Sequence, residues 1–120
     1  MEASQAELSS ELLEKIARRL KAMGNPVRLQ ILHSLEDGEK SVSAILEVVG
    51  GKQANLSEHL NVLRSTGLVT SRRNGSNVCY RIRDEGVFSI CRSVCDSLHH
   101  EASHEVERIE LGREHLIGRS

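Results

Sequence analysis

Apolar residues recur at helical spacing through most of the chain and at alternate positions in one short stretch. Leu12, Leu13, Ile16, Leu20 and Met23 predict a first helix. Ser10 suits its cap, Glu11 and Glu14 suit the positive end of its dipole, and Gly24 ends it. Asn25-Pro26 then reads as a cap followed by a first helical residue, because proline loses no hydrogen bond there. Val27, Ile31, Leu32 and Leu35 are the apolar face of this second helix, and Asp37-Gly38 stops it. Ser41 or Ser43 can cap a short third helix ending at Val49. Gly50-Gly51 supplies a tight turn into a fourth, Lys52 to Ser65. Leu56, Leu60 and Leu63 share one face of that helix, Gln53, Asn55, Ser57 and Glu58 the other, and Gly67 closes it.

The period then changes. Leu68 to Arg73 and Ser76 to Ile82 read as two strands around Asn74-Gly75, the residue pair preferred in a type I′ hairpin turn. Val78, Tyr80 and Ile82 are expected to point inward, and Cys79, Arg81 and Arg83 outward. Asp84 caps a last helix reaching about Leu111, with Val87, Cys91, Val94, Cys95, Leu98, Ala102, Val106 and Ile109 as its stripe. The expected fold is mainly α with a small β-hairpin: a winged helix-turn-helix of five helices and a two-stranded wing. Residues 10–111 form that domain, with N- and C-terminal dimerisation helices. Residues 1–9 and 112–120 are expected to be flexible tails.

Composition narrows this further. A chain of 120 residues has room for one core. With aromatics at 2%, that core must be aliphatic, and aromatic cages or base-stacking platforms are nearly excluded. No apolar run is long enough to span a bilayer, and the acidic start, Met1-Glu2-Ala3-Ser4, has no apolar leader segment. Three cysteines, an odd number, argue against a disulfide framework. A reducing cytoplasm is the expected compartment.

Charge changes the picture most. The net charge of −1 hides a block, residues 52–83, in which Lys52, Arg64, Arg72, Arg73, Arg81 and Arg83 face Glu58 alone, while both flanks are acidic. Such a block is the footprint of a polyanionic partner. It coincides with the helix–turn–helix–hairpin order, and the polar-faced helix has the width of a DNA major groove. Gln53 and Asn55 carry amides able to pair with adenine, Ser57 and His59 are short or planar donors, and Lys52 and Arg64 suit phosphates. Arg72 and Arg73, beside the hairpin tip, can reach a neighbouring phosphate or minor groove. A winged-helix module that binds protein is the competing reading, and the basic block counts against it. No phosphate loop, paired-carboxylate site or exposed nucleophile points to an enzyme.

Three segments in this order carry a family resemblance. They are Gly24-Asn25-Pro26-Val27-Arg28-Leu29-Gln30-Ile31-Leu32, Gln53-Ala54-Asn55-Leu56-Ser57-Glu58-His59-Leu60-Asn61-Val62-Leu63, and Gly67-Leu68-Val69 followed by the wing to Ile82. The chain resembles the ArsR/SmtB family of winged-helix repressors over roughly Ala22 to Leu98. The resemblance implies a cytoplasmic homodimer that sits on double-stranded operator DNA and lets go when an inducer binds. It also implies that Gln53, Ala54, Asn55, Ser57 and His59 lie on the recognition helix.

Dimerisation has a physical argument of its own. The first and last helices carry broad apolar stripes that one small domain cannot cover. Two-fold pairing would space two recognition helices by about one DNA turn.

The family's inducer sites do not transfer. Ser41-Val42-Ser43 stands where the thiolate site needs a Cys-x-Cys pair, and Asp96-Ser97-Leu98 with His100 and His104 misses the zinc-type spacing. What stands instead is Cys91-x3-Cys95-x3-His99, one ligand type above the next on a helix. Those residues could take Zn²⁺, Cd²⁺ or As(III), or the thiols could be oxidised. Cysteine is also a small apolar residue that packs in helix interfaces, which leaves open a regulator with no small-molecule inducer. Cys79 is expected to be incidental.

Overall fold

Most helices here start where a side-chain oxygen takes up the orphaned N–H groups of a first turn. In the computed structural model, which describes residues 9–118 and side chains through Glu110, helix α1 spans Ser10–Met23. Its cap is Ser9, one residue earlier than expected, whose Oγ accepts from the Leu12 N–H at 3.2 Å. Helix α2, Pro26–Ser34, is capped by Asn25, whose Oδ1 accepts from the N–H groups of Val27 (2.9 Å) and Arg28 (3.1 Å). Helix α3, Val42–Val49, is capped by Ser41 through the Ala44 N–H at 3.1 Å. Gly50 and Gly51 both have left-handed φ values, 73° and 82°, a backbone path that side chains with a Cβ disfavour. That turn delivers the chain into helix α4, Gln53–Ser65.

The sheet is larger than the two-stranded wing expected. Strands β2, Val69–Asn74, and β3, Asn77–Ile82, form the hairpin, and a two-residue strand β1, Lys40–Ser41, pairs antiparallel with β3 on its other side. Strand β3 is therefore central, with Ser41 on one flank of Cys79 and Arg72 on the other. This corrects the expectation for Cys79, which is buried at 7% exposure, while Val78 and Tyr80 are only half-buried. Strand β1 escapes a pattern search because two residues show no period. It brings the start of α3 beside β3, and the two elements touch.

The turn also differs by one residue. Asn74 pairs with Asn77, so Gly75 and Ser76 are the central residues. Among them only Gly75 has a positive φ, 68°, and no non-glycine residue of the described chain has one. The chain has shifted the turn so that glycine alone enters the left-handed region, as a glycine-first hairpin turn requires.

The core is aliphatic, as the composition dictates. Ile31, Leu32, Leu35, Ile45, Leu56, Leu60, Leu63, Leu68, Val69 and Val87 are fully buried. Val27, placed on the apolar face of α2 by its spacing, is exposed instead. The apolar stripe of α1 also faces outward, with Leu12, Leu13, Ile16 and Leu20 all exposed.

Residues up to Val87 form one unit and those from Phe88 a second, which is the body of helix α5, Gly86–Gly118. The Asp84 carboxylate accepts from the Gly86 N–H at 2.9 Å as α5 begins. The helix passes the expected end near Leu111, so the expected C-terminal tail is helical through Gly118. The expected N-terminal tail, apart from Ser9, lies outside the described residues. On α5, Val94, Leu98, Val106 and Ile109 are exposed, the last at 62%.

Candidate nucleic-acid interface

Helix α4 divides cleanly. Leu56, Leu60 and Leu63 are buried at positions three or four apart, which turns one side into the core. The remaining positions follow from that constraint. Gln53, Ala54, Asn55, Ser57, Glu58, Asn61 and Arg64 are exposed, as is Lys52 at the cap position. No side chain caps the N-terminus of α4, so its first-turn N–H groups and the Lys52 ammonium face solvent together. Such an end favours an anion.

Three of the expected contact residues are otherwise engaged. His59 lies three residues from Leu56, at the border of the buried face, and is half-buried. Its Nδ1 accepts a hydrogen bond from the Arg28 Nε at 3.1 Å, and Arg28 also donates to the Ala22 carbonyl at 3.3 Å. Arg28 thus ties α4 to the end of α1 and the start of α2. His59 acts as an acceptor in that tie, and its outward role is reduced accordingly. Arg28 was not singled out by its sequence position, although a cation beside the apolar face of α2 needs an acceptor nearby.

Arg72 is the second. Its Nε and one terminal nitrogen bind both oxygens of the Glu39 carboxylate, at 2.7 and 2.8 Å. Such a paired geometry is the strongest that arginine makes with a carboxylate. Arg64 donates to the Asn61 Oδ1 at 3.0 Å along its own helix. Arg73 is exposed and makes no ion pair among the described residues. The basic block therefore presents Lys52 and Arg73 openly, with Arg72 held by a local anion. Glu39, like Arg28, escaped the sequence reading. It is the last residue before β1, and only that unseen strand brings it beside the wing.

These pairs set a pH dependence. Arg72 holds the Glu39 carboxyl below its ordinary value of 4.5, and Lys40 holds the Asp37 carboxyl below 3.8. A carboxyl whose folded value is depressed adds stability above its unfolded value and loses it as pH falls through the folded one. The thermal midpoint is expected to stay level from pH 7 to about pH 5 from these groups and to fall below it. Glu39→Gln with Asp37→Asn should flatten that acid limb, as read by circular-dichroism melts at several pH values.

The thiol–imidazole set on α5 stands differently. Cys91 is half-buried and Cys95 and His99 are exposed, and none of the three cysteines is in a disulfide. Among the described residues, no three His, Cys, Asp or Glu side chains come together as a metal-holding group. Cys91, Cys95 and His99 of one chain do not, as they stand, fit a three-ligand metal centre. No described helix is long and apolar enough to cross a membrane.

Similarity to known proteins agrees with this geometry. A helix-turn-helix domain model matches residues 23–72, which cover α2 through the start of the wing. The HTH-type transcriptional regulator NmtR of Mycobacterium tuberculosis is 33% identical over 107 residues, 89% of this chain and 82% of that protein. The HTH-type transcriptional regulator Rv0324 of the same organism is 40% identical over 97 residues, but the chain spans only 43% of its length. A solution structure from Mycobacterium bovis, Mb0332, covers 79% of this chain and 94% of its own at 39% identity and a TM-score of 0.69. It is a homodimeric winged helix-turn-helix DNA-binding domain of a candidate ArsR-family regulator. With its capped helices, two-glycine turn, outward polar helix and wing, this chain belongs to the ArsR/SmtB family of winged helix-turn-helix transcriptional regulators.

Proposed function

We propose that the chain is a homodimeric repressor in the cytoplasm that holds operator DNA with α4 and the wing and releases it when an inducer acts on α5. One observation carries the DNA part: the amide and hydroxyl side of α4 is open to solvent inside the only strongly basic block of the sequence. In this reading Gln53 and Asn55 meet base edges, Ala54 and Ser57 lie against them, and Lys52 and Arg64 hold phosphates. Arg73 and, once released from Glu39, Arg72 reach the flanking backbone, and His59 buttresses α4. The exposed stripes of α1 and α5 supply apolar area for a second copy, and the homodimeric Mb0332 domain supports that assembly.

The inducer is assigned to Cys91 and Cys95. Four residues apart on one helix, they stand on the apolar stripe with Val94 and Leu98, where a two-fold partner would seat. Oxidation by a peroxide, or transfer of sulfane sulfur from a persulfide, needs no protein group beyond these thiols. Zn²⁺, Cd²⁺ or As(III) needs donors from both copies, because one chain does not bring three together among the described residues. The test uses duplexes enriched from a random pool by the wild-type protein, and adds Zn²⁺, Cd²⁺, arsenite, persulfide or peroxide. At least one agent is expected to release the wild type, while Cys91→Ser with Cys95→Ser keeps DNA and ignores that agent. Release of both proteins alike rejects the cysteines, and release of neither favours a regulator without a small-molecule inducer.

A further inference from the structure

Glu39 and Arg72 come from distant parts of the sequence, 33 residues apart, and meet only because β1 lies along β3. The register places Lys40 opposite Tyr80 and Ser41 opposite Cys79, while Arg72 lies opposite Cys79 from the other flank. Glu39 therefore falls at the level of Arg81, across β3 from the base of the hairpin. Its carboxylate also lies within electrostatic reach of the Arg81 guanidinium.

We infer that Glu39 is a built-in phosphate mimic: it occupies Arg72 while the protein is off DNA and must be displaced before Arg72 can grip a phosphate. The inference rests on the DNA-binding reading above. Its chemistry is simple. A carboxylate and a phosphate offer arginine the same pair of anionic oxygens, so one can replace the other at the same guanidinium. The Arg72 side chain is 56% exposed, so a phosphate can approach without moving the core and take over the same two donors. Arg73, next along the strand, has no such partner among the described residues. Strand β2 thus carries one open cation and one masked cation side by side. Masking lowers the attraction to any duplex, whatever its sequence, because that attraction grows with each phosphate neutralised. Sites where α4 also finds its bases can still draw Arg72 away from Glu39. Glu39 is thereby a specificity-determining residue that never needs to touch a base.

The experiment uses the full chain and a fluorescent duplex of mixed sequence, with binding followed by anisotropy across a range of salt. Glu39→Gln is expected to tighten binding several-fold at low salt and to steepen the log–log salt slope by about 0.9 for each phosphate gained. Arg72→Gln alone is expected to weaken binding, because it removes a phosphate-gripping cation and leaves the Glu39 carboxylate unpaired beside the wing. Glu39→Gln in the Arg72→Gln background should gain less affinity and leave the salt slope without the added phosphate, and this cycle is the decisive comparison. An equal gain in both backgrounds would mean that only net charge had changed, and the inference would be wrong. Weaker binding by Glu39→Gln, with a lowered melting temperature, would make Glu39 a support of the wing and also overturn it. Lys52→Gln and Arg73→Gln keep the two readings apart. If those variants leave the affinity and slope untouched, the DNA surface itself is misassigned. If they weaken binding while Glu39→Gln does nothing, only the mimic fails.

Discussion

Replacing Gln53 and Asn55 together by alanine is expected to abolish discrimination among DNA sequences while leaving general attraction to DNA in place. Each amide that pairs with a base edge is worth about 1–3 kcal/mol of discrimination. Losing two should weaken binding to the enriched duplex from about 30-fold to about 10⁴-fold. The salt slope should stay constant, because neither residue carries charge and the phosphate contacts are untouched. Both residues are exposed, so melting should be little affected. Competition binding of wild type and variant to enriched and mixed-sequence duplexes measures all three quantities. Unchanged selectivity would remove α4 as the reading helix and revive the protein-interaction module as the alternative.

Leu60→Ala carries the largest expected cost in stability. Leu60 is 1% exposed between Leu56 and Leu63, at the middle of the face that seats α4. Cutting a buried leucine to alanine costs about 2–5 kcal/mol, through lost transfer energy and the cavity left behind. A domain of this size has on the order of 5–15 kcal/mol in total. The melting midpoint should fall on the order of 10–20 °C, and DNA retention should fall with the folded fraction at working temperature. Leu13→Ala is the matched control, since Leu13 is 50% exposed and adds little to the fold of the chain by itself. A drop as large for Leu13 as for Leu60 under conditions that keep the chain monomeric would contradict the burial described here.

Much of this was legible without coordinates because the signals were local. The Asn25-Pro26 start, the Gly50-Gly51 turn and the three leucines of α4 each act within a few residues and stand as read, and of the two serines offered for the third cap the structure uses Ser41. The outward side of α4 followed from the leucines alone. What stayed hidden depended on partners far away in the chain. A strand of two residues leaves no period, so β1 was missed, and with it the burial of Cys79 and the grip of Glu39 on Arg72. Arg28 and His59 are 31 residues apart, and only the packing of α2 on α4 makes them a pair. The Asn-Gly signal located the hairpin correctly but placed its tip one residue early, because Asn74 remained in the ladder and left the unusual backbone to Gly75.

Ser41 serves two elements at once: its backbone pairs with Cys79 of β3 and its hydroxyl starts α3. The wing is therefore tied through β1 to the start of α3. Any sideways pull on β3 by a DNA backbone must either drag the first turn of α3 with it or break the Ser41 hydrogen bond. On the proposed reading, a grip on flanking phosphates by the wing would therefore load the first turn of α3, the helix that leads through Gly50-Gly51 into α4.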